Sequence, residues 1–184
     1  MNNKLEIICG PMFSGKTEEL LRRLRRAQIA NKKVQLFKPI IDDRYSLTDV
    51  KSHAGYSMQA VPVDDSYMLF DHAQGNDIIG IDEVQFFDQF IIPIVLMLVR
   101  HGTTVIASGL DTTFKFQPFG SLPQLLAYAE VVDKFTAICH KCGEEATRTQ
   151  RLVNGQPAKH DDPIILVGGT ESYEARCSKC WEIR

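Results

Sequence analysis

The chain has 184 residues, of which 44% are hydrophobic and 24% charged, with 21 basic and 23 acidic side chains and a net charge of −2. The length fits one domain, or one domain with a small appendage. The composition argues against a disordered or low-complexity chain, and the net charge against nucleic-acid binding by electrostatics alone. Its longest apolar run, residues 90–99, contains Pro93 and is shorter than the roughly 20 residues of a membrane span, so we expect a cytoplasmic protein without a secretory leader or a membrane partner.

The first two thirds of the sequence alternate between strand-like and helix-like segments. Short apolar runs predict strands at residues 5–9, 34–37, 58–63, 77–81, 104–108 and 132–138. Helical spacing of apolar residues predicts helices at residues 17–30, 67–73, 90–100 and 122–129. Strands that alternate with crossover helices predict an α/β fold with a parallel sheet and helices on both faces.

The first predicted strand leads into a segment that matches the phosphate-loop pattern G-x-x-x-x-G-K-[ST] at every fixed position. Its glycines let the backbone curl so that successive N–H groups point at phosphate oxygens. Lys16 reaches the β- and γ-phosphates, the Thr17 hydroxyl can ligate Mg²⁺, and the following helix adds positive charge at its N-terminus. The predicted nucleotide site consists of Gly10, Pro11, Met12, Phe13, Ser14, Gly15, Lys16 and Thr17.

Two acidic residues, Asp82 and Glu83, follow the predicted buried strand at residues 77–81. A carboxylate at the tip of a buried strand can hold Mg²⁺ directly or through water, which suits Asp82. Glu83 can accept a proton from an incoming hydroxyl. The alternative is a pair of solvated acids that caps the strand.

Basic residues are of interest in two places. The first helix carries Arg22, Arg23, Arg25 and Arg26. We interpret this cluster as a solvated face or a subunit contact, because a charged helix face is seldom a nucleic-acid surface. Arg44 follows the end of the second strand and is a candidate phosphate ligand.

The five cysteines include two Cys-x-x-Cys pairs. These pairs supply four thiolates, the ligand set of a tetrahedral structural Zn²⁺: Cys139, Cys142, Cys177 and Cys180. The metal would close the base of a long loop, residues 143–176, that covers a ligand. Cys9 lies in a predicted buried strand and is interpreted as a small apolar side chain. We therefore expect a nucleotide-binding domain at residues 1–137 and a zinc-binding domain at residues 138–184.

The order of these motifs resembles the thymidine kinase family, in the cytosolic zinc-containing form shared by animals, bacteria and some viruses. The resemblance rests on Gly10–Thr17, Asp82–Phe87, Gly109–Phe114, Pro118–Phe119, both cysteine pairs and Gly168–Tyr173. It implies a RecA-like sheet with flanking helices, and a small zinc-binding domain with a lasso-type loop. It also implies transfer of the γ-phosphoryl group of ATP to the 5′-hydroxyl of thymidine, and of deoxyuridine, in nucleotide salvage for DNA synthesis.

The same resemblance assigns roles to single residues, with Glu83 as the catalytic proton acceptor. The residues implied to bind ATP and Mg²⁺ are those of the phosphate loop together with Arg44, Asp82, Glu83, Val84 and Gln85. Those implied to bind thymidine are Met12, Leu110, Phe114, Phe119, Thr149, Ile164, Ile165, Leu166, Val167, Gly168 and Tyr173. From the residues alone, core packing is the alternative role for the apolar members. A homotetramer and feedback inhibition by thymidine triphosphate are further implications of the family.

Three other functions fit parts of the pattern. The chain is a kinase for another nucleoside or a simple ATPase if its pocket excludes thymidine. A nucleic-acid-binding module with zinc knuckles is disfavoured by the net charge of −2. The zinc segment serves only in assembly if thymidine binding does not depend on the metal.

Overall fold

The computed structural model of the protein describes residues 3–41, 49–51, 57–166 and 168–184. Its helices are α1 (Lys16–Ile29), α2 (Ser66–Ala73), α3 (Ile91–Arg100) and α4 (Leu122–Tyr128), and a short 3₁₀ helix spans Val84–Phe86. Within the described residues, no helix has the length and apolarity that crossing a lipid bilayer requires.

Six of the strands form one sheet in which every neighbouring pair is parallel. These strands are β1 (Leu5–Cys9), β2 (Val34–Pro39), β5 (Val61–Val63), β6 (Ile78–Ile81), β7 (Thr104–Gly109) and β8 (Val131–Lys134). Their order across the sheet is β5-β2-β6-β7-β1-β8. The predicted α/β fold with a parallel sheet is confirmed. Because β1 and β6 are separated only by β7, their carboxyl ends open onto one edge of the sheet.

The sheet is covered on both faces, as predicted. One face packs against α2, α3 and α4, and its core includes Ile79, Ile81 and Val105, which have no exposed surface. The other face packs against α1 through Leu20 and Leu24. Burying each such side chain contributes about 1.5–3 kcal/mol.

A glycine sets the distance between α1 and the sheet. A Cβ atom added to Gly80 in β6 would lie 2.5 Å from Cδ1 of Leu24 in α1, so only glycine allows this close approach. The contact brings the first turn of α1 near the end of β6. The phosphate loop and the acidic pair therefore meet at one edge of the sheet.

The remaining strands are short and antiparallel. They are β3 (Asp49–Lys51), β4 (Ser57–Gln59), β9 (Ala137–Ile138), β10 (Glu145–Ala146), β11 (Arg148–Val153), β12 (Gln156–Pro157) and β13 (Tyr173–Arg176). β3 pairs with β4, β9 with β10, and β11 with both β12 and β13. Residues of β9, β10 and β13 pack with Cys139 and Cys177 in one small apolar cluster.

Two predicted strands are each divided in the structure. The segment at residues 58–63 breaks at the buried Ala60, so that β4 joins a hairpin while β5 joins the large sheet. The segment at residues 132–138 is split into β8 and β9. The Phe135 N–H is donated to Cys9 O at 2.7 Å, and beyond Cys9 the neighbouring strand β1 gives way to the phosphate loop. Beyond that point β8 has no β1 residue to pair with.

The prediction of a solvated arginine face is wrong for Arg23. Its guanidinium forms ion pairs with Glu6, Glu19 and Asp133 at 2.6–2.8 Å, and its side chain is only 17% exposed. Burial lowers the pKa of Arg23, but the hydrogen bonds that its guanidinium donates to these carboxylates outweigh burial and raise the pKa. Arg23 therefore fastens α1 to strands β1 and β8.

Candidate active site beside the phosphate loop

The phosphate loop is a tight turn between β1 and α1. Gly10 has φ 141° and Gly15 has φ 83°, which are conformations that glycine adopts at low cost. A Cβ atom on Gly10 would lie 2.3 Å from Phe135 O. Packing against this carbonyl therefore also favours glycine at the first fixed position of the pattern. The Nζ atom of Lys16 is buried and donates to Pro11 O at 2.6 Å, which holds the ammonium group over the loop.

Two hydroxyl groups converge on Asp82 at the end of β6. The Oγ1 atom of Thr17 lies 3.3 Å from Asp82 Oδ2, and Ser108 Oγ donates to Asp82 Oδ1. The carboxylate is 4% exposed. Mg²⁺ prefers hard oxygen ligands of this kind, so Thr17 and Asp82 fit a Mg²⁺ site. Sequence reasoning did not identify Ser108.

Glu83 has an unusual backbone conformation, with φ 51° and ψ 45°. For a residue other than glycine, this left-handed conformation costs about 1–3 kcal/mol and persists where the surrounding structure holds it. Glu83 is 9% exposed and its side chain reaches the wall of a cleft. Val84 and Gln85, also predicted to bind ATP, are buried behind that wall and do not line the cleft.

The cleft has a volume of about 300 Å³ and unites two groups of predicted residues. From the nucleotide site it is lined by Met12, Phe13, Ser14, Gly15, Lys16, Thr17, Asp82 and Glu83. From the predicted thymidine pocket it is lined by Met12, Leu110, Phe114, Phe119, Thr149, Ile164, Ile165, Leu166, Gly168 and Tyr173. Arg44 and Val167 lie outside the described residues.

Glu18, directly after the phosphate loop, lines the cleft without having been predicted, as do four residues farther along the chain: Lys38, Asp49, Val50 and Phe86. Lys38 is 2% exposed and lies at the carboxyl end of β2, beside β6. Ligands of open parallel sheets bind at this edge, so the position of Lys38 after a predicted strand was a usable signal. Asp49, Val50 and Phe86 carry no comparable sequence pattern.

The loop between β12 and β13 is anchored at Pro163 and at Leu166. The Arg151 guanidinium donates to Pro163 O through Nη1. The Tyr173 hydroxyl donates to Leu166 O at 2.7 Å. Ile164, Ile165 and Leu166 are 42–47% exposed, so their apolar surface remains accessible from the cleft. The phosphate loop is connected to β11 at this side of the cleft, because the Met12 N–H donates to Thr149 Oγ1 at 3.0 Å.

The four paired cysteines lie together, with all four sulfur atoms within 4.8 Å of one another. Cys142 Sγ is 3.7 Å from Cys177 Sγ, close to the roughly 3.8 Å separation that Zn–S bonds of 2.3 Å give in a tetrahedron. Burial opposes ionisation of Cys139, but backbone hydrogen bonds from Cys177, Lys141 and Cys142 outweigh that burial and lower the pKa of Cys139 to about 6. The cluster could therefore hold a metal ion, consistent with zinc.

Cys9 lies apart from this cluster, fully buried in β1. Burial and the nearby Asp111 raise the pKa of the Cys9 thiol to about 11. Cys9 is therefore a neutral thiol packed in the core, and it is not one of the clustered sulfur atoms.

The fold and the site together define an α/β protein of the P-loop nucleotide-binding class. The phosphate loop lies between β1 and α1, and the Asp82 carboxylate lies beside it at the end of β6. The chain belongs to the thymidine kinase family: the family model described as "Thymidine kinase" matches residues 3–181. The predicted family resemblance is thereby confirmed over nearly the whole chain.

Solved structures of another protein show a more distant likeness. One is the replication initiator DnaA bound to AMPPCP and single-stranded DNA, with a TM-score of 0.44, 15% identity and coverage of 72% of this chain and 40% of that chain. Another is AMPPCP-bound DnaA from Aquifex aeolicus, with a TM-score of 0.46, 13% identity and coverage of 73% and 41%. This chain thus spans about two fifths of the length of these structures.

Proposed function

We propose that this protein transfers the γ-phosphoryl group of ATP to the 5′-hydroxyl of thymidine, giving thymidine monophosphate and ADP. One observation carries the proposal: the phosphate loop, Glu83 and a set of apolar side chains line a single cleft. A planar base needs apolar walls and a few hydrogen-bonding groups. Phe114, Phe119 and Tyr173 can supply those walls, and residues 164–166 and 168 can supply backbone hydrogen bonds.

The proposed reaction is an in-line phosphoryl transfer. The 5′-oxygen of thymidine forms a bond to the γ-phosphorus as the bond from that phosphorus to the bridging oxygen of ADP breaks. The Glu83 carboxylate takes the proton of the 5′-hydroxyl. Lys16 and the N–H groups of the phosphate loop offset the negative charge on the transferred group, so catalysis depends mostly on positioning and electrostatics.

The two metals have separate proposed roles. Mg²⁺ bound with ATP, through Thr17 and Asp82, would supply positive charge next to the phosphate oxygens. Zn²⁺ on the four cysteines would fix the ends of the segment that contains the cleft-lining loop. That segment covers the substrate and excludes water, which otherwise competes with thymidine as the phosphoryl acceptor.

The decisive experiment measures phosphate transfer from Mg·ATP to thymidine, with deoxyuridine, deoxycytidine and purine deoxynucleosides in parallel. We expect product with thymidine and deoxyuridine. Glu83→Gln should abolish turnover and leave ATP binding intact. ATP hydrolysis without a phosphorylated nucleoside would favour an ATPase, and product only with another nucleoside would favour a different kinase.

Further properties belong to the same proposal. We infer a cytoplasmic homotetramer that serves nucleotide salvage for DNA synthesis and is inhibited by thymidine triphosphate. We also propose a nucleotide-binding domain at residues 1–137 and a zinc-binding domain at residues 138–184, a boundary that follows the end of β8 at Lys134 and falls within β9. Sedimentation analysis tests the homotetramer, and inhibition assays test the effect of thymidine triphosphate. Limited proteolysis tests the domain boundary.

A further inference from the structure

The side chain of Gln85 joins the two halves of the cleft from behind its wall. Its Nε2 atom donates to Glu83 Oε2 at 2.5 Å, and its Oε1 atom accepts the Leu110 N–H at 3.0 Å. Gln85 is 3% exposed, while Glu83 and Leu110 both line the cleft. One buried amide therefore contacts both the proposed proton acceptor and a residue of the proposed thymidine pocket.

Only one orientation of the Gln85 amide satisfies both partners. The backbone N–H of Leu110 can only donate, so it requires the carbonyl oxygen of the amide. The amide NH₂ group must then face Glu83, where it donates to the carboxylate in a charge-assisted hydrogen bond. Rotation of the amide by half a turn would place its NH₂ group against the Leu110 N–H and its carbonyl oxygen against the Glu83 carboxylate. The network consequently holds the Glu83 carboxylate in one orientation.

Two glycines make room for this arrangement. A Cβ atom on Gly109 would lie 2.3 Å from Gln85 Oε1, and a Cβ atom on Gly120 would lie 2.2 Å from Gln85 O. Any other residue at either position would displace Gln85. Gln85 therefore packs closely against Gly109 at the end of β7 and against Gly120 in the segment before α4.

The neighbouring backbone explains why Glu83 needs such support. Glu83 has a left-handed conformation, and no side-chain cap begins the 3₁₀ helix that follows it. A residue in this conformation keeps its place only if surrounding contacts determine it. The hydrogen bond from Gln85 spans only two residues and restrains the carboxylate directly.

We propose that Gln85 is a positioning residue that orients Glu83 toward the acceptor hydroxyl and couples its position to the Leu110 wall. This inference rests on the proposed function, because it takes Glu83 as the proton acceptor. It gives Gln85 a role different from contact with ATP: the side chain acts through Glu83 and has no part in nucleotide affinity. Loss of the amide should therefore slow turnover without weakening ATP binding.

The test compares Gln85→Met and Gln85→Glu with the wild type and Glu83→Gln. Methionine has nearly the same length but no hydrogen-bonding amide, and glutamate keeps the acceptor for Leu110 while removing the donor to Glu83. We expect kcat for thymidine to fall about 10–100-fold in both variants, since a small misplacement of a reacting group has effects of this size. The KM for ATP should change less than about twofold.

Calorimetric titration with Mg·ADP counts the folded sites in each preparation, so partial unfolding cannot imitate a loss of kcat. Retention of kcat within about threefold in both variants, with Glu83→Gln inactive, overturns the role of Gln85 alone. A KM for ATP that rises in step with the fall in kcat assigns Gln85 to nucleotide binding and overturns it as well. A wild-type protein that does not phosphorylate thymidine overturns the proposed function instead.

Discussion

Thr17 and Asp82 lie 65 residues apart in the sequence, yet the Thr17 hydroxyl oxygen is 3.3 Å from Asp82 Oδ2. Thr17 belongs to the first turn of α1, and Asp82 follows β6. The close packing of α1 on Gly80 brings these two ends together. The approach of these two oxygen atoms is therefore a product of helix–sheet packing.

A first prediction concerns the acidic member of this pair. Asp82→Asn keeps the size of the side chain but removes the charge that favours a divalent cation. We expect the Mg²⁺ concentration for half-maximal activity to rise at least about tenfold, as measured by initial rates against free Mg²⁺. Asp77→Asn is a matched control at the opposite end of β6, where the carboxylate accepts the Lys33 N–H. Equal Mg²⁺ dependence in the two variants would contradict the assignment.

A second prediction concerns the anchor of the cleft-lining loop between β12 and β13. Arg151 is 5% exposed, and its guanidinium carbon lies 5.3 Å from the centre of the Phe114 ring. Arg151→Met removes the donor to Pro163 O and frees the loop that carries Ile164. We expect the KM for thymidine to rise about tenfold or more, in line with one lost buried charged hydrogen bond of about 1.5–3 kcal/mol. The KM for ATP should stay unchanged.

Arg148→Met is the control for this variant. Arg148 lies in the same strand, but its guanidinium stacks 3.9 Å from the centre of the Phe116 ring. Its loss should leave the KM for thymidine within about twofold of the wild-type value. The loop anchor is refuted if both variants raise that KM equally.

A third prediction concerns the metal cluster. Thiolate ligands must be deprotonated, so acid and chelators together should release the metal and expose four titratable thiols. We expect the metal-free protein to lose thymidine phosphorylation but still bind Mg·ADP. Cys177→Ser should reproduce this loss, whereas Cys9→Ala should keep one metal ion per chain, as measured by elemental analysis. Thymidine binding that survives metal removal would favour a purely assembling role for the zinc segment.

A fourth prediction concerns stability in acid. The Arg22 hydrogen bond, opposed by burial and reinforced by Arg23, lowers the pKa of Glu19 from 4.5 to about 2. Because the folded-state pKa is the lower one, this interaction stabilises the fold fully above about pH 4.5. That stabilisation is lost as the pH falls toward 2.

Glu19→Gln should therefore lower the free energy of unfolding by about 1–2 kcal/mol near pH 7, a value reduced for solvent screening because Arg22 is 54% exposed. The difference from the wild type should shrink between pH 4.5 and 2, as measured by urea denaturation. Glu18→Gln is the control, since Glu18 forms no ion pair among the described residues. A difference independent of pH would contradict the electrostatic explanation.

Much of the site was readable from the sequence because its parts are local patterns. The phosphate loop, the acidic pair and each cysteine pair are short segments. In each of them the residue types and their spacing follow from the ligand to be bound. The parallel sheet was equally predictable, since apolar runs alternate with helical periodicity. The predicted strands at residues 58–63 and 132–138 are each two strands, divided at Ala60 and near Phe135. These breaks depend on where the partner strands begin and end, which the local sequence does not show.

By itself, then, the sequence determined the fold class, the phosphate loop and the two Cys-x-x-Cys pairs, because these depend on residues close together in the chain. Only the tertiary structure decided that Gln85 faces Glu83 and Leu110, and that Arg151 holds the loop over the cleft. Such contacts depend on how distant elements pack. A glutamine behind a strand and an arginine within one carry no periodicity or motif that marks them beforehand.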